Sequence, residues 1–242
     1  MNSTFLTNGY VVLKKILSIS SQNEITQEIQ HFIQTHKNHL RDREINYTKD
    51  GQINSIHNLF LSKNNFFYQQ AHSQKFLNIA SELLGEEAEC RGSELFLKPA
   101  EHGLPSPPHQ DDFYWCIEDH QAFTLWISLD HSSEENGGVY FWRGSHKLGL
   151  LPHENSFAPG SSQTIKDLAL LTDFSIETPN LGPGDAVAHH ALTAHGSTPN
   201  QSKKPRRAWT IQYKKKSSAY DENRKASYLQ NLQLQINQRS KS

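Results

Sequence analysis

A histidine and an aspartate two residues apart, His109 and Asp111 in the stretch PPHQDDFYW (107–115), are the side chains of this sequence most readily combined into a reactive site. In an extended chain, positions i and i+2 share one face. An imidazole and a carboxylate would then converge on one point, with Gln110 facing away. Two ligands hold a catalytic metal poorly, so a third must come from elsewhere in the chain. Two histidines and one carboxylate on one face of an octahedron, with the opposite face open, form the ligand set of non-haem Fe(II) oxygenases. An H-x-D pair alone is a weak signal, because short His/Asp pairs are common in loops.

Three downstream imidazoles are candidates for the missing ligand: His189, His190 and His195 in GDAVAHHALTAHGSTPNQSKKPRRAWTIQY (184–213). Residue chemistry alone does not rank them. Ser197 lies two residues beyond His195 and Arg206 eleven beyond. A guanidinium grips a carboxylate through a bidentate fork that lysine cannot copy. Arg206 and Arg207 are adjacent, so in a strand one faces inward and the other outward. The plain alternative is a basic surface turn, KKPRR.

The elements that must position these residues fall into two textures. GYVVL (9–13) reads as a short strand. A helix capped by Ser20 or Ser21 is expected over 22–36, where Ile25, Ile29, Phe32 and Ile33 recur at helical spacing. A second is expected over 65–84, ending at Gly85. Residues 37–56 are polar and read as a flexible loop near a site mouth. From GSELFLKPA (92–100) onward, short β-rich runs alternate with Gly, Pro, Asn and Asp. Residues 152–172 lack periodicity and read as an insertion loop. Lys214–Lys216 read as a solvated strand end, followed by a weak C-terminal helix. Helices followed by many short strands argue for an α+β chain with a sandwich or jelly-roll core. A single catalytic domain over 1–242 is expected, with a helical part over about 1–85, the jelly roll over about 86–215 and a polar tail over about 216–242.

Composition narrows the class. The 242 residues are 35% hydrophobic, with a formal net charge of -1, which suits a globular chain without a nucleic-acid footprint. Two cysteines, Cys90 and Cys116, are too few for a disulfide framework and fit a reduced, cytoplasmic protein. The N-terminus carries no signal-peptide pattern, and no membrane span is expected. Fourteen histidines favour metal chemistry slightly.

The blocks HQD (109–111), LWISLD (125–130), NGG (136–138), GSHKLG (144–149), GD (184–185), HGSTPNQS (195–202) and RRA (206–208) together resemble the phytanoyl-CoA dioxygenase family. These are Fe(II)- and 2-oxoglutarate-dependent oxygenases. The resemblance runs from about Gly9 to Tyr213 and is densest from Lys98 onward. It implies a double-stranded β-helix, a distorted jelly roll, with helices packed on one side. It assigns His109, Asp111 and His195 to iron, and makes His189 and His190 near-site or structural residues. Arg206 and Ser197 would hold the distal carboxylate of 2-oxoglutarate, with Gln110 and Lys98 as further cosubstrate candidates. Iron, 2-oxoglutarate and O2 would supply an oxidation that releases succinate and CO2. Related halogenases have a small residue in place of the carboxylate ligand, so an intact Asp111 implies hydroxylation or a related oxidation.

Substrate is less legible. Tyr114 and Trp115 are candidate pocket walls, Trp126 a core residue, and Gly144–Ser145–His146 a turn. Arg41, Arg43, His57 and His153 are available for an anionic or zwitterionic group. These favour a small polar metabolite or natural-product intermediate, with no protein partner implied. A cupin-like Zn or Mn hydrolase or isomerase, and a non-catalytic binding module, remain as alternatives.

Overall fold

The computed structural model describes residues 2–239. Its helices and strands run α1 (Ser3–Asn8), β1 (Tyr10–Leu13), α2 (Ile19–His36), β2 (Ile45–Tyr47), β3 (Ile53–Ile56), α3 (Phe66–Ala71), α4 (Gln74–Leu84), β4 (Ala88–Phe96), β5 (Ser106–His109), α5 (Asp111–Trp115), β6 (Ala122–Ser128), β7 (Val139–Trp142), β8 (His153–Ala158), β9 (Ser161–Ile165), β10 (Ile176–Glu177), β11 (Ala186–His190), β12 (His195–Ser197), β13 (Ala208–Lys215) and α6 (Glu222–Arg239). The larger sheet has the order β1-β11-β6-β13-β4-β3-β2 and the smaller the order β10-β7-β12-β5, with β8 and β9 pairing as a separate hairpin. The architecture is α+β, with the two facing sheets of a double-stranded β-helix and helices on the outer face of the larger one.

Period two sorts the larger sheet into a greasy face and a working face. On β6, Phe123, Leu125 and Ile127 pack against the helices, while Thr124 and Trp126 face the smaller sheet. On β13, Trp209, Ile211 and Tyr213 face the helices, and Thr210 and Gln212 face inward. On β11, Ala186 and Ala188 go outward and His189 inward. The helices answer with matching stripes: Ile25, Ile29 and Phe32 on α2, and Phe76, Ala80, Leu83 and Leu84 on α4. The cap of α2 is Ser18, which accepts the Ser21 N–H, and not the expected Ser20 or Ser21, which lie inside the helix; Gly85 closes α4 in the left-handed region at φ 69°.

Four other sequence expectations need correction. Residues 37–56 are not a loop: β2 and β3 form a hairpin, with Ile45 opposite Ile56, that extends the larger sheet alongside β4. Its few isoleucines are too sparse to show a period. Residues 152–172 hold the β8–β9 hairpin, in which Gln163 and Ile165 are buried. The helix expected over 65–84 is two helices, parted at His72 and Ser73. Lys214 is buried and reaches Glu89 at 2.9 Å instead of facing solvent. The C-terminal helix is present as α6, and residues 240–242 of the expected tail lie outside the described residues. Among the described residues no helix is long and apolar enough to cross a membrane.

Trp209 is the keystone of the helix–sheet layer. It is fully buried, meets Phe67 and Phe76 edge-on at 5.8 and 5.5 Å, and donates its indole N–H to Ser93 Oγ at 2.7 Å. Trp209→Ala is expected to lower unfolding stability by about 3–5 kcal/mol in urea titrations, through lost burial and a cavity that the sheet cannot close.

Candidate active site

The strand β5 ends at His109, Gln110 stays extended (φ -120°, ψ 131°), and Asp111 opens the short helix α5. The bend keeps His109 and Asp111 on one side. Antiparallel pairing of β12 with β5 sets His195 directly opposite His109. Ligand atoms of His109, Asp111 and His195 all lie within 4.8 Å of one another. His195 is therefore the histidine that the fold adds to the H-x-D pair. His190 is not: its Nδ1 accepts the Leu192 N–H at 3.1 Å, away from the cavity.

Each imidazole is oriented by a backbone carbonyl. His109 Nδ1 donates to Pro107 O at 2.7 Å, and His195 Nδ1 donates to Thr193 O at 2.9 Å. Both rings then aim the Nε2 lone pair at the shared point. Both Nε2 atoms lie 3.7 Å from Asp111 Oδ1. The other oxygen, Oδ2, accepts from Thr124 Oγ1 at 2.6 Å and from His189 Nε2 at 3.1 Å. The carboxylate is thus split, one oxygen held and one presented. Burial acts to raise the Asp111 pKa, but His195, His109 and His189 outweigh it and hold the carboxyl well below the usual range. Burial, with His109 and His189 close by, keeps His195 well below its ordinary value and therefore neutral, as a ligand must be.

Arg206 and Ser197 share the same cavity, of about 680 Å3. Arg206 is 1% exposed and lies over the Trp126 ring at 5.1 Å. Its Nη2 donates to Gly137 O at 2.7 Å, while Nε and Nη1 are buried without an acceptor. Burial pulls its pKa down to about 9. Arg207 turns the other way and grips Asp130 with both arms, as adjacent residues of a strand should. Gly137 belongs to the NGG block, and glycine is needed there because a Cβ would sit 2.7 Å from Thr198 O. Asn200 ties this corner together through Lys98 O, Pro99 O and Lys204 O.

Two cosubstrate candidates from the sequence are placed elsewhere. Gln110 is fully buried on the far side of the strand: its amide donates to Gly149 O and Leu192 O, and its carbonyl accepts from Leu151 N–H. Alternation sends it away from the metal side. Lys98 sits behind the cavity wall, donating to Ser197 Oγ at 2.7 Å and to Thr198 O. It supports Ser197, whose hydroxyl hydrogen remains free to point into the cavity. Burial, aided by nearby Arg206, drives the Lys98 pKa well down. Of the four cationic candidates, Arg43 and His57 line the cavity, while Arg41 pairs with Glu44 and His153 stacks on Phe113. Tyr114 and Trp115 do form its wall, and Trp126 is both core and floor. Thr124 was missed, although the alternation in AFTLWIS (122–128) points it inward beside Trp126.

Thr124→Val should weaken Fe(II) binding by roughly 10–100-fold, the usual cost of losing a group that orients a ligand, as read by anaerobic metal titration; unchanged affinity would mean that Asp111 needs no such hold. A second expectation concerns acid. Burial lowers His190 to about 3 and His153 to about 4, against an ordinary 6.5. Below pH 6.5 the unfolded chain takes up protons that the fold refuses, so their contribution is complete above 6.5 and lost as pH falls toward 3. Urea stability should therefore fall on acidification, by at most about 1.4 kcal/mol per pH unit for each histidine. His190→Gln should make that slope shallower.

Comparison with known proteins bears on this geometry. A 147-residue stretch is 35% identical to a probable alpha-ketoglutarate-dependent hypophosphite dioxygenase of Stutzerimonas stutzeri, covering 58% of this chain and 50% of that one. The chain spans about half to three-fifths of the first curated relatives it matches. Among solved structures, EctD from S. alaskensis with 2-oxoglutarate and 5-hydroxyectoine superposes with a TM-score of 0.73 at 22% identity, over 90% of this chain and 76% of that one. The epimerase SnoN, in complex with Fe3+, alpha ketoglutarate and nogalamycin RO, gives 0.71 at 21%, over 90% and 83%. At such identities these two structures speak for the fold. Residues 5–208 match the phytanoyl-CoA dioxygenase (PhyH) family, and the chain belongs to that family.

Proposed function

We propose that the protein is an Fe(II)- and 2-oxoglutarate-dependent dioxygenase that hydroxylates, or otherwise oxidises, a small polar molecule. One observation carries the reading. Beside the His109–Asp111–His195 cluster, the buried guanidinium of Arg206 has two nitrogens, Nε and Nη1, with no acceptor, and no carboxylate pairs with it among the described residues. A buried cation left in that state is costly unless a ligand completes it. A dicarboxylate with a keto acid at one end fits both features at once.

Iron and 2-oxoglutarate, held there, would supply an oxidation driven by O2, in which one oxygen atom enters succinate as CO2 leaves and the other oxidises the substrate. The residues of the chain do the rest. His109 and His195, fixed in one tautomer by Pro107 O and Thr193 O, present Nε2, and Asp111 presents Oδ1. Arg206 and Ser197 take the distal carboxylate and so orient the keto acid. Tyr114, Trp115 and Trp126 wall the cavity and limit water. The retained carboxylate Asp111 supports hydroxylation over halogenation. The likeness in fold to an epimerase leaves room for another outcome of the same oxidation. Two free, buried cysteines support a cytoplasmic setting. A Zn or Mn hydrolase or isomerase would have no use for Arg206, and a binding module no use for an intact triad.

The test is anaerobic titration with Fe(II), then 2-oxoglutarate, following the weak visible charge-transfer band of the chelated keto acid. Wild type should show the band, and His195→Ala should abolish it. Arg206→Ala should weaken 2-oxoglutarate binding by about 2–5 kcal/mol, the cost of unpairing a buried charge partner. Iron binding without the band would refute the cosubstrate and favour the hydrolase or isomerase.

A further inference from the structure

Two guanidiniums line the inner cavity without a carboxylate partner, and they are mounted alike. Arg206 lies on Trp126, gives one arm to a carbonyl oxygen and leaves buried N–H groups free. Arg91 lies on Trp115, its Cζ 4.6 Å from the ring centroid. It gives Nη1 to the amide oxygen of Gln212, and its Nε is buried without an acceptor. The arginine–carboxylate pairs among the described residues are Arg41–Glu44, Arg143–Glu177, Arg207–Asp130 and Arg224–Asp112. Neither cavity arginine is in that set. Arg43 also lines the cavity but is exposed at its mouth.

A β-bulge places Arg91. On β13, Gln212 faces Gly92 but Tyr213 faces Cys90, so Arg91 is the extra residue of β4. Ser93 points toward the helices, and unbroken alternation would have sent Arg91 there as well. The bulge turns it into the cavity instead. Gly92 completes the mount: a Cβ there would stand 2.7 Å from Gln212 Oε1, the atom that holds Arg91. Bulge, glycine, glutamine and indole together support one cation that has no carboxylate partner among the described residues.

Three acids line the cavity, and none of them pairs with Arg91. Asp111 belongs to the metal site, Glu94, on the same face of β4, lies 3.2 Å from His57 Nδ1, and Asp42 is exposed to solvent. If Arg206 takes the cosubstrate, the anion that completes Arg91 must belong to the other reactant. We propose that Arg91 anchors an anionic group, a carboxylate or a phosphonate-type oxyanion, on the substrate itself. The proposal rests on the dioxygenase reading and names its substrate class: a small acid, bound by one end at Arg91 on Trp115, with its body crossing the cavity toward the iron ligands. A fork of N–H donors on an aromatic shelf suits a planar or tetrahedral oxyanion and rejects its uncharged analogue.

The test uses the anaerobic Fe(II)–2-oxoglutarate complex, with phenylphosphonate as the anionic probe and benzyl alcohol as its uncharged counterpart. Binding is read by calorimetry, and the charge-transfer band reports the cosubstrate throughout. Phenylphosphonate should bind wild type in preference to benzyl alcohol. It should bind Arg91→Gln at least tenfold more weakly, with Arg91→Lys between the two and the band intact in all three proteins. The intact band also shows that the variants fold. Equal affinity for wild type and Arg91→Gln, or no preference for the anion, overturns the proposal. Loss of the band in Arg91→Gln alone overturns it too, by making Arg91 the cosubstrate anchor. A wild type without the band refutes the dioxygenase reading first, and the proposal with it.

Discussion

The carboxylate of Asp111 is the tie between the two sheets. Thr124 on β6 and His189 on β11, both from the larger sheet, hold Oδ2. His109 on β5 and His195 on β12, both from the smaller sheet, stand equally far from Oδ1. Taking a carboxylate out of water costs several kcal/mol unless partners surround it. Here Thr124 and His189 donate to one oxygen and leave the other facing His109 and His195. The larger sheet thus fixes the carboxylate, while the carbonyls of Pro107 and Thr193 set the tautomers of the two rings. The site is built before any ligand arrives, which is what preorganisation requires.

That arrangement explains what could be read from the chain. His109 and Asp111 are legible because they lie two residues apart. Arg206 and Ser197 are legible because their offsets from His195 match a known pattern. Residue chemistry could not choose His195 over His189 and His190; the family pattern did, and strand pairing, which puts His195 opposite His109, supplies the physical reason. Gln110 and Lys98 misled for one reason: a residue beside a site residue is as readily behind the wall as in front of it. The hairpin at β2 and β3 was hidden because several of its buried positions are polar, Asn46, Asn54 and Ser55, which breaks the apolar period. Arg91 was invisible because a bulge breaks the very alternation from which facing is inferred.

Charge inside the cavity is arranged by withholding partners. Arg207 receives a carboxylate and Arg206 does not, although they are neighbours in sequence. Lys98 is buried behind Ser197 where burial and Arg206 both disfavour its charged form, so it can brace the wall without competing for an anion. The field reaching the cavity is therefore concentrated on the two guanidiniums, in surroundings of low dielectric where a single charge counts for more than it would in water.

Both of those guanidiniums rest on indoles, Arg206 on Trp126 and Arg91 on Trp115. A cation on a ring face polarises the π-electrons beneath it, and an arriving anion cancels part of that field. Two of the four tryptophans of the chain therefore lie directly beneath a cavity cation. An anion arriving at either guanidinium would change the surroundings of the indole beneath it, and replacing one indole at a time with phenylalanine would separate the two signals.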